Sequence, residues 1–342
     1  MSSFYKNFQK ITQISCATTS LLLNTLLIFL IIIKSPKSIG FYKYLMIYIS
    51  LFEAVYSILD VSSEPVIYSY GSAFIAFSNI NDSFLNKHLS FVVIIIYAGC
   101  FGFSLALFAV HFLYRYSIIQ SSFKTQLLQG SRKLILFIIP LFYGFWWTYL
   151  CSLFSRNAEV DAYMQDTMLS SYNVSMEDVT YICFMFFTLD ERGMKTPNNE
   201  AFLAILCMMF MILSSMFCVF YFGTKCYKII NHAFDGSSNR SAFTQSLQKQ
   251  LFYALVVQTC IPLILMYIPA GFLFLTAIFE IQIGFASSIV AITIAIYPAV
   301  DPLPNLLIIK DYRKAIKVFV VKNLLKVLPK RENNTNNQTS RI

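Results

Sequence analysis

The sequence predicts an all-α integral membrane protein built as a bundle of seven transmembrane helices, and two observations lead to this fold class. Of the 342 residues, 57% are hydrophobic and only 13% are charged, which is too little charge to cover a surface that faces water. The apolar residues also fall into blocks of about twenty, the length that an α-helix needs to cross a hydrocarbon core of roughly 30 Å.

The predicted spans follow one another along the chain with polar segments between them. They cover residues 13–33, 43–66, 89–114, 133–155, 201–224, 250–278 and 283–309. Behind the last span, apolar residues recur on one face of residues 310–328 with Lys and Arg beside them, which predicts an amphipathic helix in the membrane interface. Residues 1–328 are therefore predicted to form one membrane domain, and the Asn-rich and Thr-rich residues 329–342 a disordered tail.

The positions of the basic residues predict which way the bundle is inserted. Twenty of the 26 Lys and Arg residues lie at or in the loops that follow the first, third and fifth spans, or behind the seventh span. Lys and Arg are retained on the cytoplasmic side of membrane proteins. The N-terminus is therefore predicted to be extracellular and the tail cytoplasmic, and the net charge of +9 reports this topology and not nucleic-acid binding.

The longest loop, residues 156–200, falls on the predicted extracellular side and carries eight acidic residues against three basic ones. Its segment from Tyr181 to Leu189 is apolar but too short to span the membrane, so it either covers the mouth of the bundle or pairs as a β-strand. Asn81 and Asn173 each begin an Asn-x-Ser sequon on the same side, where N-glycosylation is predicted.

The sequence contains no motif for catalysis or for metal or cofactor binding. There is no Gly-rich nucleotide loop, no His-Glu-x-x-His and no Gly-x-Ser-x-Gly, so we predict no enzymatic activity, no catalytic residue and no cofactor. Five of the eight cysteines lie inside apolar runs, where a thiol behaves as a small apolar side chain. We therefore predict no metal site and no disulfide framework.

Insertion of an acidic residue into the membrane costs about 3 kcal/mol on insertion scales, so each acidic residue within a span indicates a structural or functional role. Glu53, Asp60 and Glu64 fall on one face of the second span. Asp60 and Glu64 lie near its outer end, where they are either solvated or face a ligand. Glu53 lies at the depth of Asp301 in the seventh span, so these carboxyl groups either share a proton, hold a cation such as Na⁺ or are satisfied separately by neighbouring hydroxyl groups.

The third span carries a stripe of polar residues, with Tyr97, Ser104, His111 and Arg115 on one face. His111 is either a hydrogen-bonded structural residue or a switch, and Arg115 either extends to the lipid headgroups or takes part in signalling. In the sixth span, Pro262 removes a backbone hydrogen bond and allows the helix to bend. A bent sixth span, an Arg at the end of the third span and Asp301-Pro302 in the seventh are together what a bundle needs to change between two packing states.

Several motifs together resemble the Str class of nematode seven-transmembrane chemoreceptors, the serpentine receptor class r family, over almost the whole chain. They lie at the start of the second span, at the end of the third, in the sixth and at the end of the seventh. The motifs are Gly40-Phe41-Tyr42-Lys43-Tyr44-Leu45-Met46, Val110-His111-Phe112-Leu113-Tyr114-Arg115-Tyr116, Leu247-Gln248-Lys249-Gln250-Leu251-Phe252, Gln258-Thr259, Ile261-Pro262, Tyr297-Pro298 and Asp301-Pro302-Leu303.

The resemblance implies a G protein-coupled receptor in the cilium membrane of chemosensory neurons. Its implied ligand is a small, often volatile, environmental molecule, and its implied cytoplasmic partner is a heterotrimeric G protein. By position, Tyr114-Arg115-Tyr116 is similar to the Asp-Arg-Tyr end of the third helix in rhodopsin-like receptors, and Asp301-Pro302 to the Asn-Pro of their seventh helix. The acidic partner of the Arg is missing, so a resting-state lock on Arg115 must use Tyr114, Tyr116 or a residue of the sixth span.

We predict that the ligand binds between the second, third, fifth, sixth and seventh spans. The candidate ligand-binding residues are Asp60, Glu64, Tyr97, Phe101, Ser104 and Tyr267. The candidate signalling residues are His111, Tyr114, Arg115, Tyr116, Lys249, Pro262, Asp301 and Pro302.

Three questions stay open at the level of sequence. Cys100 lies too deep in the third span for the disulfide that rhodopsin-like receptors make to the second extracellular loop, which leaves the pairing of Cys183 and Cys151 undecided. A peptide receptor is one alternative, because the acidic loop would suit a basic peptide. A ligand-gated ion channel of the insect odorant-receptor kind is another, and it would have a cytoplasmic N-terminus.

Overall fold

The computed structural model describes residues 3–120, 129–189, 192–232, 242–284, 287 and 289–327, so the predicted tail lies outside the described residues. Within them, seven helices are long and apolar enough to cross a membrane, which confirms the predicted seven-helix fold. The spans are α1 (Ser3–Lys34), α2 (Tyr42–Ser63), α3 (Lys87–Ile119), α4 (Ile135–Ser152), α6 (Asn199–His232), α7 (Ala242–Ile278) and α8 (Ile289–Ile308). Helix α5 (Ala158–Tyr172) lies in the long loop, and α9 (Lys310–Val327) follows the last span.

The ends of α2 and α3 are set by local backbone chemistry. α2 ends at Ser63 because Glu64 takes a left-handed conformation with φ of 40°, which turns the chain out of the helix. α3 begins after Asn86, whose side chain accepts a hydrogen bond from the backbone N–H of Leu89 at 2.9 Å. The second span is therefore shorter than predicted, and the residues between α2 and α3 are free to form strands.

Three β-strands close one end of the bundle. β1 (Val66–Tyr70) and β2 (Ala73–Asn79) form an antiparallel hairpin, and β3 (Val179–Met185) pairs with β2. A smaller pair, β4 (Phe187–Leu189) and β5 (Lys195–Pro197), leads into α6. This end, which also holds the start of α1, is the sheet end of the bundle; the opposite end, where α3 finishes and α7 begins, is the basic end. The apolar loop segment thus both pairs as strands and covers the bundle.

The three-stranded sheet is a middle layer with two different buried faces, because successive residues of a strand point to opposite sides. The residues that face the bundle are Ile67, Phe74, Ala76, Ile182 and Phe184. Those that face outward form one apolar cluster with α5, and they are Tyr68, Ile75, Phe77, Tyr181 and Cys183. The sheet therefore separates α5 from the interior of the bundle.

The hairpin between β1 and β2 requires glycine at its first turn position. Gly71 has φ of 50°, a conformation that other residues rarely adopt. A Cβ at this position would also collide with the hydroxyl group of Tyr163 on α5. The same hydroxyl accepts a hydrogen bond from the backbone N–H of Ser72 at 3.2 Å, so α5 is held directly onto the turn.

Two spans are interrupted where proline removes a backbone N–H. In α7, the α-helical pattern changes after Pro262 to a π-helical turn over Leu263–Tyr267 and resumes at Ile268. In α8, a turn at Asp301 and Pro302 separates two helical segments. Both interruptions lie near buried polar side chains, Tyr267 in α7 and Asp301 in α8, so irregular backbone adjoins the polar interior.

Candidate ligand pocket and signalling core

An apolar cavity of about 80 Å³ lies directly under the sheet, inside the bundle. Rings contributed by α2, α3, α4, α7 and the sheet line it, and the largest are Tyr56, Tyr97, Phe101, Trp147, Phe184 and Phe274. Phe74 of β2 closes the roof, where its ring stacks on that of Phe274 with centroids 3.9 Å apart. None of the described side chains that line this cavity is charged, so it suits a small apolar molecule.

Two of the candidate ligand residues line the floor of this cavity, and two more, Ser104 and Tyr267, lie in the layer beneath it. Tyr97 and Phe101 line it, and the ring of Phe101 lies 5.1 Å from that of Tyr267. The hydroxyl of Tyr267 donates a hydrogen bond to the hydroxyl of Ser104 at 2.9 Å, one helical turn closer to the basic end. Tyr267 is the last residue of the π-helical turn in α7. The floor of the cavity is therefore in contact with the bend in the sixth span.

The two remaining candidates, Asp60 and Glu64, do not share a site. Asp60 is buried and interacts with Tyr97 and with Gln13 of α1, so it lies behind the cavity wall. Glu64 lies outside the cavity and forms an ion pair with Lys10 at 2.6 Å. This corrects the predicted grouping: α2 ends at Ser63, and the left-handed turn carries Glu64 toward α1 instead of the cavity.

Glu53 and Asp301 meet in the middle of the bundle. Both are fully buried, and the carboxyl group of Glu53 lies close to that of Asp301 and to the side chain of Asn24 on α1, without a hydrogen bond to either. Both carboxyl oxygens of Glu53 and one of Asp301 have no hydrogen-bond donor among the described residues. Two carboxylates cannot both carry full charge at this separation inside a membrane, so the arrangement can hold either a shared proton or a cation.

Amide groups surround the carboxyl pair on the side of α7. Gln258 Nε2 donates to Asp301 Oδ2 at 2.8 Å and to the Asp301 carbonyl oxygen at 3.1 Å. Asn305 Nδ2 in turn donates to Gln258 Oε1 at 3.0 Å. The described residues contain no group of three or more His, Cys, Asp or Glu side chains that could hold a metal ion. A cation at this place would therefore be held by two carboxyl groups and neutral oxygens, which suits a monovalent ion.

Arg115 lies buried at the basic end and makes two neutral contacts. Its guanidinium group lies 3.7 Å from the centroid of the Tyr42 ring, and its Nη1 donates to Gln248 Oε1 of α7 at 2.7 Å. With 2% of its surface exposed, Arg115 does not extend to the headgroups, which excludes that alternative. The Tyr42 ring also stacks on Tyr114 at 5.4 Å, and its hydroxyl lies 3.3 Å from His111 Nδ1. Among the described residues, Arg115 is thus joined to α2 and α7 and has no acidic partner.

Comparison with known proteins identifies the family. Residues 9–317 match the family model described as serpentine type 7TM GPCR chemoreceptor Str. The chain belongs to this family. It is 34% identical over 319 residues to the G-protein coupled receptor str-217 of Caenorhabditis elegans, covering 93% of this chain and 91% of that protein. It is 29% identical over 289 residues to the serpentine receptor class r-10 of the same nematode, covering 83% of each.

Squid rhodopsin is a structural neighbour of this Str receptor. The two folds superpose with a TM-score of 0.53 at 13% sequence identity, covering 94% of this chain and 83% of that chain. At this identity the likeness concerns the fold alone. Together with the family match, it makes the chain a multi-pass membrane protein of the G protein-coupled receptor class, a chemosensory receptor and not an enzyme.

The remaining predicted positions of the Str receptor can now be placed. Tyr116 of α3 lies beside Phe222 of α6, with ring centroids 5.3 Å apart, and so faces away from Tyr42. Lys249 lies 5.9 Å above the ring of Tyr253 on α7. The sequon residues Asn81 and Asn173 are both exposed at the sheet end. All eight cysteines fall within described residues and are free, including the buried Cys151 and Cys183.

Sequence reasoning missed several residues of the Str receptor core. Gln248 and Gln258 were part of the motifs but received no role, although a polar amide inside an apolar span is itself a signal of buried contact. Asn24 and Asn305 gave the same signal. Tyr42 gave none, because an aromatic residue at the start of a span is ordinary.

Proposed function

We propose that this receptor binds a small, uncharged, mainly apolar molecule in the cavity under the sheet and activates a heterotrimeric G protein at its basic end. The cavity itself is the observation that carries the proposal. Scaled from an apolar cavity of about 150 Å³ that holds benzene, a volume of about 80 Å³ accommodates roughly three non-hydrogen atoms, so a larger ligand would have to displace side chains of the lining. The absence of charge among the described lining residues favours an uncharged ligand, because a charged one would lose its hydration without gaining a partner.

The direction of signalling follows from the basic residues. Along the sequence, twenty of the 26 Lys and Arg residues lie at or in the segments that follow α1, α3 and α6 or behind α8, which favours a cytoplasmic basic end and an extracellular sheet end. In this orientation both exposed sequons are extracellular. We infer a location in the plasma membrane, at the cilium of chemosensory neurons, because the family consists of chemoreceptors.

Helix α7 is the element that couples the two ends in this proposal. It carries Tyr267 at the ligand cavity, Gln258 at Asp301 and Gln248 at Arg115. A ligand that changes the packing around Tyr267 would bend α7 at its π-helical turn and shift both glutamines at once. Release of Arg115 from Gln248 would then open the basic end to the G protein, as a two-state transition requires.

The carboxyl pair has a role at the centre of this pathway. We infer that Glu53 and Asp301 hold a shared proton or a monovalent cation in the resting state, because their oxygens otherwise repel each other. Movement of Gln258 with α7 would remove a hydrogen bond from Asp301 and weaken that site. The pair thus opposes activation until the ligand shifts α7.

The alternatives receive less support. A peptide would need an open mouth, whereas the sheet and α5 cover the cavity. An ion channel of the insect odorant-receptor kind does not agree with membership of a G protein-coupled receptor family. The acidic loop that suggested a basic peptide forms part of the cover.

A volatile panel tests the proposal in cells that express the receptor, with cAMP and calcium as readouts. We expect responses to small uncharged volatiles and none to peptides. Phe101→Ala should raise the half-maximal ligand concentration roughly tenfold, since a buried aromatic contact is lost. Phe217→Ala, a change at a side chain that is 67% exposed on α6, is the matched control and should leave it unchanged. Responses to peptides alone, or equal shifts for both variants, would contradict the proposed pocket.

A further inference from the structure

A second, polar pocket of about 90 Å³ lies at the sheet end, between α1 and the outer edge of the sheet. The first turns of α1 provide one wall, and the end of α2 and the residues around β2 provide the other. The polar residues that line it include Lys6, Gln9, Lys10, Gln13, Glu64 and Asp82. Val66, Phe77 and Tyr172 add an apolar wall. It is separate from the aromatic cavity, with which it shares no lining residue.

The charges around this pocket balance. Two ammonium groups face two carboxylates, in the ion pairs Lys6–Asp82 and Lys10–Glu64, the latter at 2.6 Å. Their side chains are between 24% and 51% exposed, so water screens each pair and the pair contributes little to stability. A ligand can therefore take up these charges at low cost. A lone cation would be repelled by the lysines, and a lone anion by the carboxylates.

Gln9 provides an acceptor that the protein itself does not use. Its side chain is 4% exposed, and its Nε2 donates to the Pro65 carbonyl oxygen at 3.0 Å. Its Oε1 has no hydrogen-bond donor among the residues that the structure describes. This oxygen is not accessible from the pocket as the side chain stands, so a donor on a ligand reaches it only when the Gln9 side chain turns. A buried acceptor without a donor is unfavourable, which favours that turn when a ligand brings a donor.

We propose that this pocket binds a small zwitterion of the amino-acid type. Its ammonium group donates to Glu64 and, once the Gln9 side chain turns, to Gln9 Oε1, and its carboxylate accepts from Lys6 and Lys10. The side chain of the zwitterion packs on Val66. Scaled from a cavity of about 150 Å³ that holds benzene, a volume of about 90 Å³ encloses roughly four non-hydrogen atoms, so glycine, alanine or serine would extend in part into the solvent beside the exposed ion pairs.

Binding at this place would tie α1 to the sheet that covers the aromatic cavity. Lys6 and Lys10 belong to α1, Glu64 ends α2, and Asp82 follows β2. One turn further along α1, Gln13 interacts with Asp60, which in turn interacts with Tyr97 of the cavity. A zwitterion bound in the polar pocket would therefore hold the sheet in place over the aromatic cavity.

Binding of radiolabelled L-alanine to the full receptor in lipid nanodiscs tests the proposal, with glycine and L-serine as competitors. Ethylamine and propionate each keep one of the two charges of alanine. We expect saturable alanine binding, and competition by ethylamine or propionate that is weaker by about tenfold or more, since each loses one set of charged hydrogen bonds.

Three variants locate the site. Gln9→Leu and Lys10→Met should each weaken alanine binding roughly tenfold, because each removes one ligand contact. Lys87→Met changes an exposed lysine at the same end, whose Nζ donates to the Glu177 carbonyl oxygen outside the pocket, and should bind as the unchanged receptor does. The unfolding temperature shows whether each variant is folded; if Gln9→Leu is not, Lys10→Met decides. Absence of saturable binding by all three amino acids, or unchanged binding in the folded variants, would overturn the proposal.

Discussion

At the sheet end, the candidate ligand cavity is lined by aromatic and aliphatic side chains, whereas at the basic end Arg115 lies buried against Tyr42 and Gln248. Apolar contacts lose free energy in small steps as surface is removed, because dispersion and burial scale with area. Buried polar contacts are lost abruptly, because the partner that remains has no water to replace them. Substitutions in the cavity at the sheet end should therefore change the sensitivity to ligand by degrees, whereas substitutions at the basic end should remove or raise signalling abruptly.

The largest expected effect is at Arg115. Arg115→Ala should remove most ligand-evoked G protein activation, by about a hundredfold, because the two-state coupling passes through this side chain. Ligand binding should persist, measured as the shift that an active volatile causes in the unfolding temperature. Phe101→Ala, by contrast, should raise the half-maximal ligand concentration and keep the maximal response. If Arg115→Ala instead raised the half-maximal ligand concentration and kept the maximal response, the two ends of the receptor would not differ in this way.

The next largest effect concerns the stability of the sheet and α5, which cover the aromatic cavity. Gly71→Ala should destabilise the receptor by about 1–3 kcal/mol, because it adds a collision with Tyr163 to the strain of a left-handed residue. Gly193→Ala has the same strain, with φ of 72°, but no atom within 4 Å of its Cβ, and so isolates the collision. The unfolding temperature of the two purified variants measures the difference. Equal losses would mean that α5 does not press on the turn.

A smaller effect is expected at Gln248. Gln248→Leu frees Arg115 and should raise signalling without ligand several-fold, by analogy with coupling energies of about 1–3 kcal/mol. Gln248→Glu replaces a neutral contact by a buried charge pair and should lower it below the level of the unchanged receptor. Nucleotide exchange on the G protein in isolated membranes gives both values. If both variants change basal exchange in the same direction, the contact with Arg115 does not restrain the receptor.

The carboxyl pair should respond more weakly. If it holds sodium, raising sodium at constant ionic strength should raise the unfolding temperature by mass action, and Glu53→Gln should abolish this dependence. The amide of the same variant can donate to Asp301, so the receptor should stay folded. An unfolding temperature independent of sodium would assign the pair to a shared proton. If Glu53→Leu is as stable as Glu53→Gln, Asp301 requires neither a sodium ion nor a shared proton.

The smallest effect is expected at Cys183. Burial raises the pKa of its thiol, so at neutral pH it stays protonated and unreactive. Dithiothreitol should leave both the unfolding temperature and the signalling of the receptor unchanged, and an impermeant maleimide should not label this residue in the folded state. Loss of activity on reduction would indicate that a disulfide, and not only the hydrogen bonds between β2 and β3, holds the sheet end together.

The parts of the receptor that sequence predicted are those with a strong local signal. Seven apolar blocks gave the fold, and the cost of intramembrane charge singled out Glu53, Asp301 and Arg115. The hairpin β1–β2 was missed because the predicted second span was extended through the polar residues Ser62 to Glu64 and through Pro65 to Val66, whereas the helix ends at Ser63 and β1 begins at Val66. Glu64 was misplaced for the same reason, since only the left-handed turn at its position directs it away from the cavity.

Partners across the bundle could not be predicted from one sequence. The contact between Arg115 and Gln248 joins residues 133 positions apart, and that between Gln258 and Asp301 joins residues 43 apart. Spacing within a helix gives the face on which a residue lies but not the facing residue on the neighbouring helix. Such pairs depend on how the helices rotate and tilt against one another, which the packing of the whole bundle determines.

The alternation of the sheet has a consequence for how receptors of this kind diversify. Phe74 and Ile75 are neighbours in β2, yet the first faces the ligand cavity and the second faces α5. Substitutions at every second position can therefore alter the shape that a ligand meets while the outer layer continues to hold the strand in place. A gene family that must follow a changing chemical environment can in this way acquire new selectivity through single substitutions, without first gaining extra stability elsewhere.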